Sequence, residues 1–325
     1  MALGEFELIA RYFDRPARRA ALGVGDDCAL LQTAPGMQLA VSTDLLVEGR
    51  HFLSTVDPSR LGHKALAVNL SDLAACGARP LAFTIGLALP RAEDAFLAPF
   101  ASGLLALADR SAIELVGGDT TAGPLTIAIT VFGEVPPGQA LLRSGALPGD
   151  ELWVSGTLGD ARLGLEAFRG SLTLDGDGFR QARQAMELPE PRIALGLALR
   201  GVASAAIDLS DGLLGDLGHL LRRSGAGAEF ALTRLPRSAL LDAQPQSVQR
   251  SCLLAGGDDY ELLFTAPAEQ HQRVLEAGER SATAVRRIGH ITPASAGLRV
   301  LDETGNALDL RPWAGFDHFR TQSHA

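Results

Sequence analysis

Lysine is nearly absent from this chain: among its 29 basic residues only Lys64 is a lysine, and all the others are arginine. No Gly-x4-Gly-Lys-Ser/Thr string occurs, so a P-loop for nucleotide phosphates is excluded. Schiff-base chemistry would fall on Lys64, which no neighbouring pattern supports. Cysteine is scarce too: Cys28, Cys76 and Cys252 are far apart and odd in number. Without a CxxC or Cys/His spacing they make neither a zinc site nor a disulfide framework, and reduced thiols of a cytoplasmic protein account for them. Positive charge is in deficit, with a net charge of −9 and a pI near 5.3. That argues against nonspecific binding to nucleic acid or to an anionic membrane. No apolar run approaches the roughly 20 residues of a membrane span, and the N-terminal MALGEFELIARYFDR lacks a signal-peptide core. No Ser-His-Asp or Cys-His arrangement marks a covalent nucleophile.

The composition that remains is ordinary for a soluble protein, 46% hydrophobic and 21% charged over 325 residues, enough for about two domains. Residues 4–14 read as a short amphipathic helix. GVGDDCALL (23–31) and MQLAVSTD (37–44) read as strands separated by Ala34-Pro35-Gly36. Asp57-Pro58-Ser59 opens a helix, because Pro58 lacks an N–H that a first turn does not use. That helix ends near Gly77 and carries Asn69 and Asp72. A strand at 81–89, a helix at 92–110 and strands at 112–119 and 125–135 follow. The Pro/Gly-rich stretch 136–150 is the best domain boundary. Beyond it, strands at 151–156, 204–208, 259–266 and 284–291 alternate with helices near 160–169, 178–187, 192–200 and 211–223. The fold class is mixed α/β.

Against this background short acidic clusters recur beside glycine or small polar residues: Asp26-Asp27, Asp44, Asp72, Asp119, Asp208, Asp211 and Asp258-Asp259. LAVSTD (39–44), ELVGGD (114–119) and SAAID (204–208) place three of them at the ends of apolar strands. Unpaired carboxylates do not fill cores, but repeated in this way they suit hard divalent cations, which serve chiefly to hold phosphates. Each cluster also has a plainer use. Gly25-Asp26-Asp27 reads equally as a surface turn, and Ser42-Thr43-Asp44 supplies the residue types of an Asx-turn or helix cap. VGGDTTAGPL (116–125) lets backbone approach a ligand closely, or makes a tight turn between strands. AIDLSDGLLGDLGH (206–219) sets Asp208, Ser210 and Asp211 at a helix mouth, as caps or as phosphate and cation contacts, with Asp216 on a later exposed turn. Arg143, in a Gly/Pro-rich loop, could fork onto a phosphate or be merely solvated. His51 is a lone histidine.

The combination is more specific than any member. GVGDDCALL, VSTDLLVEGRHF (41–52), HKALAVNLSDLAACGARP (63–80), VGGDTTAGPL, LLRSGALPGD (141–150), AIDLSDGLLGDLGH, LAGGDDYELLF (254–264) and WAGFDHF (313–319) occur in this order. Together they closely resemble the thiamine-monophosphate kinase family, within the aminoimidazole-ribonucleotide-synthetase-like ATP-binding superfamily. The likeness runs over nearly the whole chain. It implies an α+β molecule of two domains. Residues 1–147 would form an N-terminal ATP- and Mg-binding domain, a mixed sheet with helices that also dimerises. Residues 148–325 would form a C-terminal α/β domain completing the active site. By the same resemblance Asp27, Ser42, Thr43, Asp44, Asp72, Asp119, Asp208 and Asp211 would ligate several Mg²⁺ ions. Gly118, Asp119, Arg143 and Ser210 would contact ATP, and His51, Asp258 and Phe316 would line the thiamine monophosphate site. A cytoplasmic homodimer without nucleic-acid or membrane partners is implied. Two positions depart from the family pattern: Asp258 stands where Glu is common, and Phe316 where Tyr or Trp is frequent. An aromatic face for the thiazolium survives at Phe316.

The implied reaction matches what the sequence lacks. A phosphate-monoester oxygen, with a second pKa of about 6, is already ionised at neutral pH and needs no general base. The obstacle is repulsion between two anions, about 1 kcal/mol per charge pair at 4 Å in water and more in a drier site. Another ATP-dependent synthetase of the superfamily, acting on a different acceptor, is one alternative. A noncatalytic Mg-nucleotide sensor is another.

Overall fold

The structure, a computed structural model, describes residues 4–25 and 27–313. The chain divides into two compact units: Met1–Ala140 with Glu187–Leu197, and Leu141–Met186 with Ala198–Ala325.

The first unit contains α1 (Glu5–Tyr12), β1 (Gln38–Val47), α2 (Pro58–Ala75), β2 (Arg79–Leu89), α3 (Asp94–Arg110), β3 (Glu114–Ala122) and β4 (Thr126–Val135). Its four-stranded sheet runs β1-β4-β2-β3. The pairs β1–β4 and β2–β4 are antiparallel and β2–β3 is parallel, so the sheet is mixed. Helix α2 starts where the proline rule expects: the Asp57 carboxylate accepts the N–H groups of Ser59 and Arg60 at 2.9 and 3.2 Å. It crosses α3 backbone to backbone, since a Cβ on Gly62 would lie 2.1 Å from the Phe100 carbonyl. Alternation along β4 buries Ile127, Ile129 and Val131 completely. On β1 it leaves Leu39, Val41 and Leu45 exposed at 49, 55 and 53%. The returning segment Glu187–Leu197 is tied to α2 by the Arg60–Glu187 ion pair at 3.0 Å and by His63 against the Pro189 carbonyl at 2.8 Å.

The second unit holds β5 (Glu151–Ser155), α4 (Asp160–Phe168) and most of α5 (Gly176–Glu187). Short α6 (Ile193–Ala198) lies mainly in the returning segment. Then come β6 (Ala205–Asp208), α7 (Leu213–Ser224), β7 (Ala226–Ala231), α8 (Ala239–Asp242), α9 (Gln246–Ala255), β8 (Leu262–Ala266), α10 (His271–Arg280), β9 (Val285–Pro293) and β10 (Leu298–Leu301). Its six-stranded sheet runs β10-β7-β9-β5-β8-β6, antiparallel except for β10–β7. Strands β5, β6 and β8 are buried at every residue, as apolar runs covered on both faces must be. The α+β class with a mixed N-terminal sheet is as the sequence led us to expect.

Three local expectations fail. The stretch 23–31 forms no strand among its described residues; only an isolated bridge joins Leu22 to Leu30. Gly25, at φ +120°, turns the backbone there, and none of the described neighbours in 23–31 is buried, so no sheet face holds it. Asp44 and Asp119 do not end strands. β1 continues to Val47 and β3 to Ala122, because exposed Asp119 and half-buried Asp44 sit on strand faces with room for a carboxylate and do not interrupt pairing.

Candidate functional site

In the first unit most of the residues read as site residues sit on regular elements. β1 is an edge strand, and alternation puts Ser42 and Asp44 on one face and Thr43 on the other. The Ser42 hydroxyl donates to Asp72 Oδ2 at 2.5 Å. Asn69, fully buried on α2, accepts the Asp44 backbone N–H at 2.9 Å and donates to the Ala65 carbonyl at 3.0 Å. An edge-strand donor that the sheet leaves unpaired is thereby satisfied. Thr43 instead meets Thr130 across the sheet at 2.8 Å. Asp119 lies in one row with Gly86, Ala128 and Leu45, at the far edge from Asp44, about 14 Å away over three strand spacings. Gly118 precedes it where only glycine fits: a Cβ would come within 2.0 Å of the Ile85 carbonyl. His51 follows the end of β1, and its Nδ1 accepts the Val47 N–H at 3.0 Å. Its proton is therefore on Nε2 when the ring is neutral.

In the second unit two loops carry the acids and bond to each other. Asp208 ends β6 at 4% exposure. The Asp258 N–H donates to the Ser210 carbonyl at 2.9 Å, Tyr260 N–H to Leu209 at 2.8 Å, and Leu209 N–H to Glu261 at 2.9 Å. Gly257, Asp258 and Tyr260 have φ of +70°, +63° and +50°, a run of left-handed backbone that only surrounding structure sustains. The Tyr260 hydroxyl holds Asp258 Oδ1 at 3.0 Å. Asp259 turns its carboxylate inward to the Gly159 N–H at 2.8 Å. Burial, with Glu261, Asp160 and Asp258 nearby, raises it well above the usual carboxylate range.

Asp216 corrects the sequence reading. It does not sit on an exposed turn: it is 3% exposed, and its Oδ2 accepts the N–H groups of Asp211 and Gly212, both at 3.1 Å. Helix α7 turns it inward, one turn past the acidic pair. Burial first, then the charges of Asp208 and Asp211, push it up to about 7. An acid four residues after the glycine of DLSDG was the available signal. Ser155 and Glu261, which bond to each other at 2.5 Å beneath the second loop, carried none.

Arg143 is exposed on its loop. His219 on α7 is lowered by burial, then by Arg222 and Arg143, with Asp211 opposing, so Arg143 and Asp211 both act on the middle of α7. Asp27 lies on an exposed bend. Asp26 and Phe316 fall outside the described residues. A cleft of about 800 Å³ in this unit is lined by Thr157, Arg237, Arg286 and Glu303, among others, and by none of the residues read as site residues. Cys252 is buried and pushed up to about 12, no thiolate nucleophile.

The donor set fits magnesium rather than a softer metal: carboxylates, hydroxyls and backbone oxygens. Among the described residues no three His, Cys, Asp or Glu side chains converge as a ready-made cage. Magnesium does not require one, since it keeps waters and takes one or two carboxylates together with substrate phosphates.

Comparison with known proteins places this geometry. Residues 25–135 match the AIR synthase related protein N-terminal domain, and residues 148–300 the corresponding C-terminal domain. The Escherichia coli thiamine-monophosphate kinase is 45% identical over 99% of this chain and 100% of its own length. A crystal structure of thiamine-monophosphate kinase from Stenotrophomonas maltophilia superposes with a TM-score of 0.83, at 43% identity, over 93% of this chain and 95% of that one. A structure described as "AaThiL complexed with AMPPCP and TMP" gives a TM-score of 0.76 at 31% identity, covering 89% of each chain.

Proposed function

The chain belongs to the thiamine-monophosphate kinase family of AIR synthase related proteins, and we propose that its reaction is direct in-line transfer. It is an ATP-dependent kinase that phosphorylates thiamine monophosphate to thiamine diphosphate, the last step of thiamine diphosphate synthesis. The observation that carries this is full-length identity of 44–45% to kinases of that name.

The acceptor oxygen arrives ionised, so the residues position and neutralise rather than abstract a proton. Magnesium ions, when bound, would supply positive charge that offsets the repulsion between the donor and acceptor phosphates. Asp27, Ser42, Thr43, Asp44, Asp72, Asp119, Asp208 and Asp211 are the proposed ligands, Thr43 through its carbonyl, since its hydroxyl meets Thr130. Gly118, Asp119, Arg143 and Ser210 would hold ATP. His51, Asp258 and Phe316 would hold thiamine monophosphate. The N-terminal domain (1–147) would bind ATP and magnesium and dimerise, and the remainder (148–325) would complete the site. Exposed Leu39, Val41 and Leu45 supply an apolar sheet face for a second copy. Among the described residues no helix is long and apolar enough to cross a membrane, and we place the enzyme in the cytoplasm.

The deciding experiment is ADP release with and without thiamine monophosphate at saturating Mg²⁺. Acceptor-dependent release is expected. Acceptor-independent release, or none, would remove the kinase reading, and a phosphoenzyme trapped from labelled ATP would remove direct transfer. Light scattering should give a dimer that Val41→Asp converts to monomer.

A further inference from the structure

We propose that Ser224 is a positioning residue for nucleotide binding, acting through the loop that carries Arg143. The inference rests on the reading of Arg143 as an ATP contact. The Ser224 hydroxyl donates to the Arg143 carbonyl at 3.0 Å and accepts the Ala146 N–H at 3.2 Å. One hydroxyl thus closes both ends of the turn Arg143–Ala146. A serine in the last turn of a helix commonly bonds back to its own helix; this one gives both contacts to the loop.

Arg143 and Ser144 are exposed, so the loop backbone, not side-chain packing, sets where the guanidinium starts. The outer parts of the loop are anchored separately. The Ala206 N–H donates to the Leu142 carbonyl at 2.8 Å, and the Leu147 N–H to Asp150 Oδ2 at 3.0 Å. Ser224 therefore governs the middle.

Its place on α7 gives the clamp a function. The same helix begins against the acidic turn, where Asp216 holds the N–H groups of Asp211 and Gly212. From Leu213 to Ser224 the helix spans about 16 Å at 1.5 Å per residue. A rigid helix so fixes the spacing between carboxylates at one end and a guanidinium at the other. Groups that act on one polyphosphate need such fixed spacing, since displacement by about 1 Å costs substantial rate.

The test is steady-state ADP production by the full chain, varying ATP, thiamine monophosphate and Mg²⁺ independently. Ser224→Ala should raise KM for ATP about 3- to 10-fold, the loss expected for a hydrogen-bonded contact. It should leave kcat, KM for thiamine monophosphate and half-saturating Mg²⁺ within about 2-fold, and Ser224→Thr should restore much of the loss. In the Arg143→Ala background Ser224→Ala should add nothing further, because both act through one contact. An unchanged KM for ATP in Ser224→Ala, or full additivity in the double variant, overturns the inference. An unchanged KM for ATP in Arg143→Ala overturns the reading of Arg143 itself.

Discussion

Asp44 and Asp72 stand on the body of a strand and a helix, whereas Asp208, Asp211 and Asp258 stand at a strand end and on two loops that hold each other by backbone hydrogen bonds. In the first unit the candidate site residues are fixed by side chains, Ser42 to Asp72 and Asn69 to the Asp44 backbone. In the second the held groups are main chain: left-handed residues, loop-to-loop backbone bonds, and the Asp211 and Gly212 N–H groups that the Asp216 carboxylate accepts. The contrast teaches where function and stability separate. A side chain changed on regular backbone should remove chemistry and spare the fold. A change in the loop pair should affect both.

The largest effect is expected from Asp72→Asn. It should lower kcat at limiting Mg²⁺ by about 10²-fold or more, the scale for losing a group that stabilises transferring charge, with the thermal midpoint unmoved. Near-full turnover would show that Asp72 is no ligand. Gly212→Ala probes the other side. Gly212 has φ +107°, and a Cβ would lie 3.0 Å from Ala255 backbone atoms. We expect about 1–3 kcal/mol of lost stability, read from urea midpoints, together with reduced activity. Unchanged stability would break the comparison.

Sequence made the two regions unequally legible. Asp57-Pro58 announced α2, and apolar alternation announced β1 and β4, so Asp44 and Asp72 could be placed on elements before any coordinates. Their facing pair with Asn69 depends on how helix and sheet pack, which no local pattern encodes. Nor did one encode that Asp119 sits at the opposite sheet edge from Asp44. The second unit was less readable: the motifs were visible as strings, but Gly-Asp-Asp-Tyr does not declare three left-handed residues. Asp216 looked like surface because its environment comes from the end of β6 and from the turn before α7, not from its own helix. β7 and β10 were missed because runs of six and four residues carry little periodicity; α9 and α10 were missed although Val274, Ala277 and Gly278 line one face of α10 at helical spacing.

A smaller effect, and one confined to the loop pair, is pH. Asp216 is raised from 3.8 to about 7 when folded, so between these limits the folded state keeps a proton that the unfolded state has released. The associated stability is present below about pH 4 and is lost as pH rises through 7. Metal-free protein should lose roughly 2 kcal/mol between pH 5 and 8 from this group. Asp160 and Asp259, also raised, act in the same direction, while lowered His63 and His219 act against it. The difference between wild type and Asp216→Asn isolates Asp216. Parallel stability curves for the two proteins would refute the assignment.

The smallest effect tests the comparison most finely. Asp258 has φ +63° and is held at Oδ1 by Tyr260. Asp258→Glu restores the residue common in the resembled family and extends the carboxylate by one methylene, about 1.5 Å. Aspartate tolerates left-handed backbone better than glutamate does, so stability should fall by a few tenths of a kcal/mol. The longer reach should lower KM for thiamine monophosphate about 2- to 3-fold, within the range of one modest hydrogen bond. The two readouts should move together, because in this unit the backbone that aims the side chain is itself under strain. If KM falls while the urea midpoint stays fixed, Asp258 behaves like Asp72. Side-chain reach, and not main-chain geometry, would then govern the second unit's site as well.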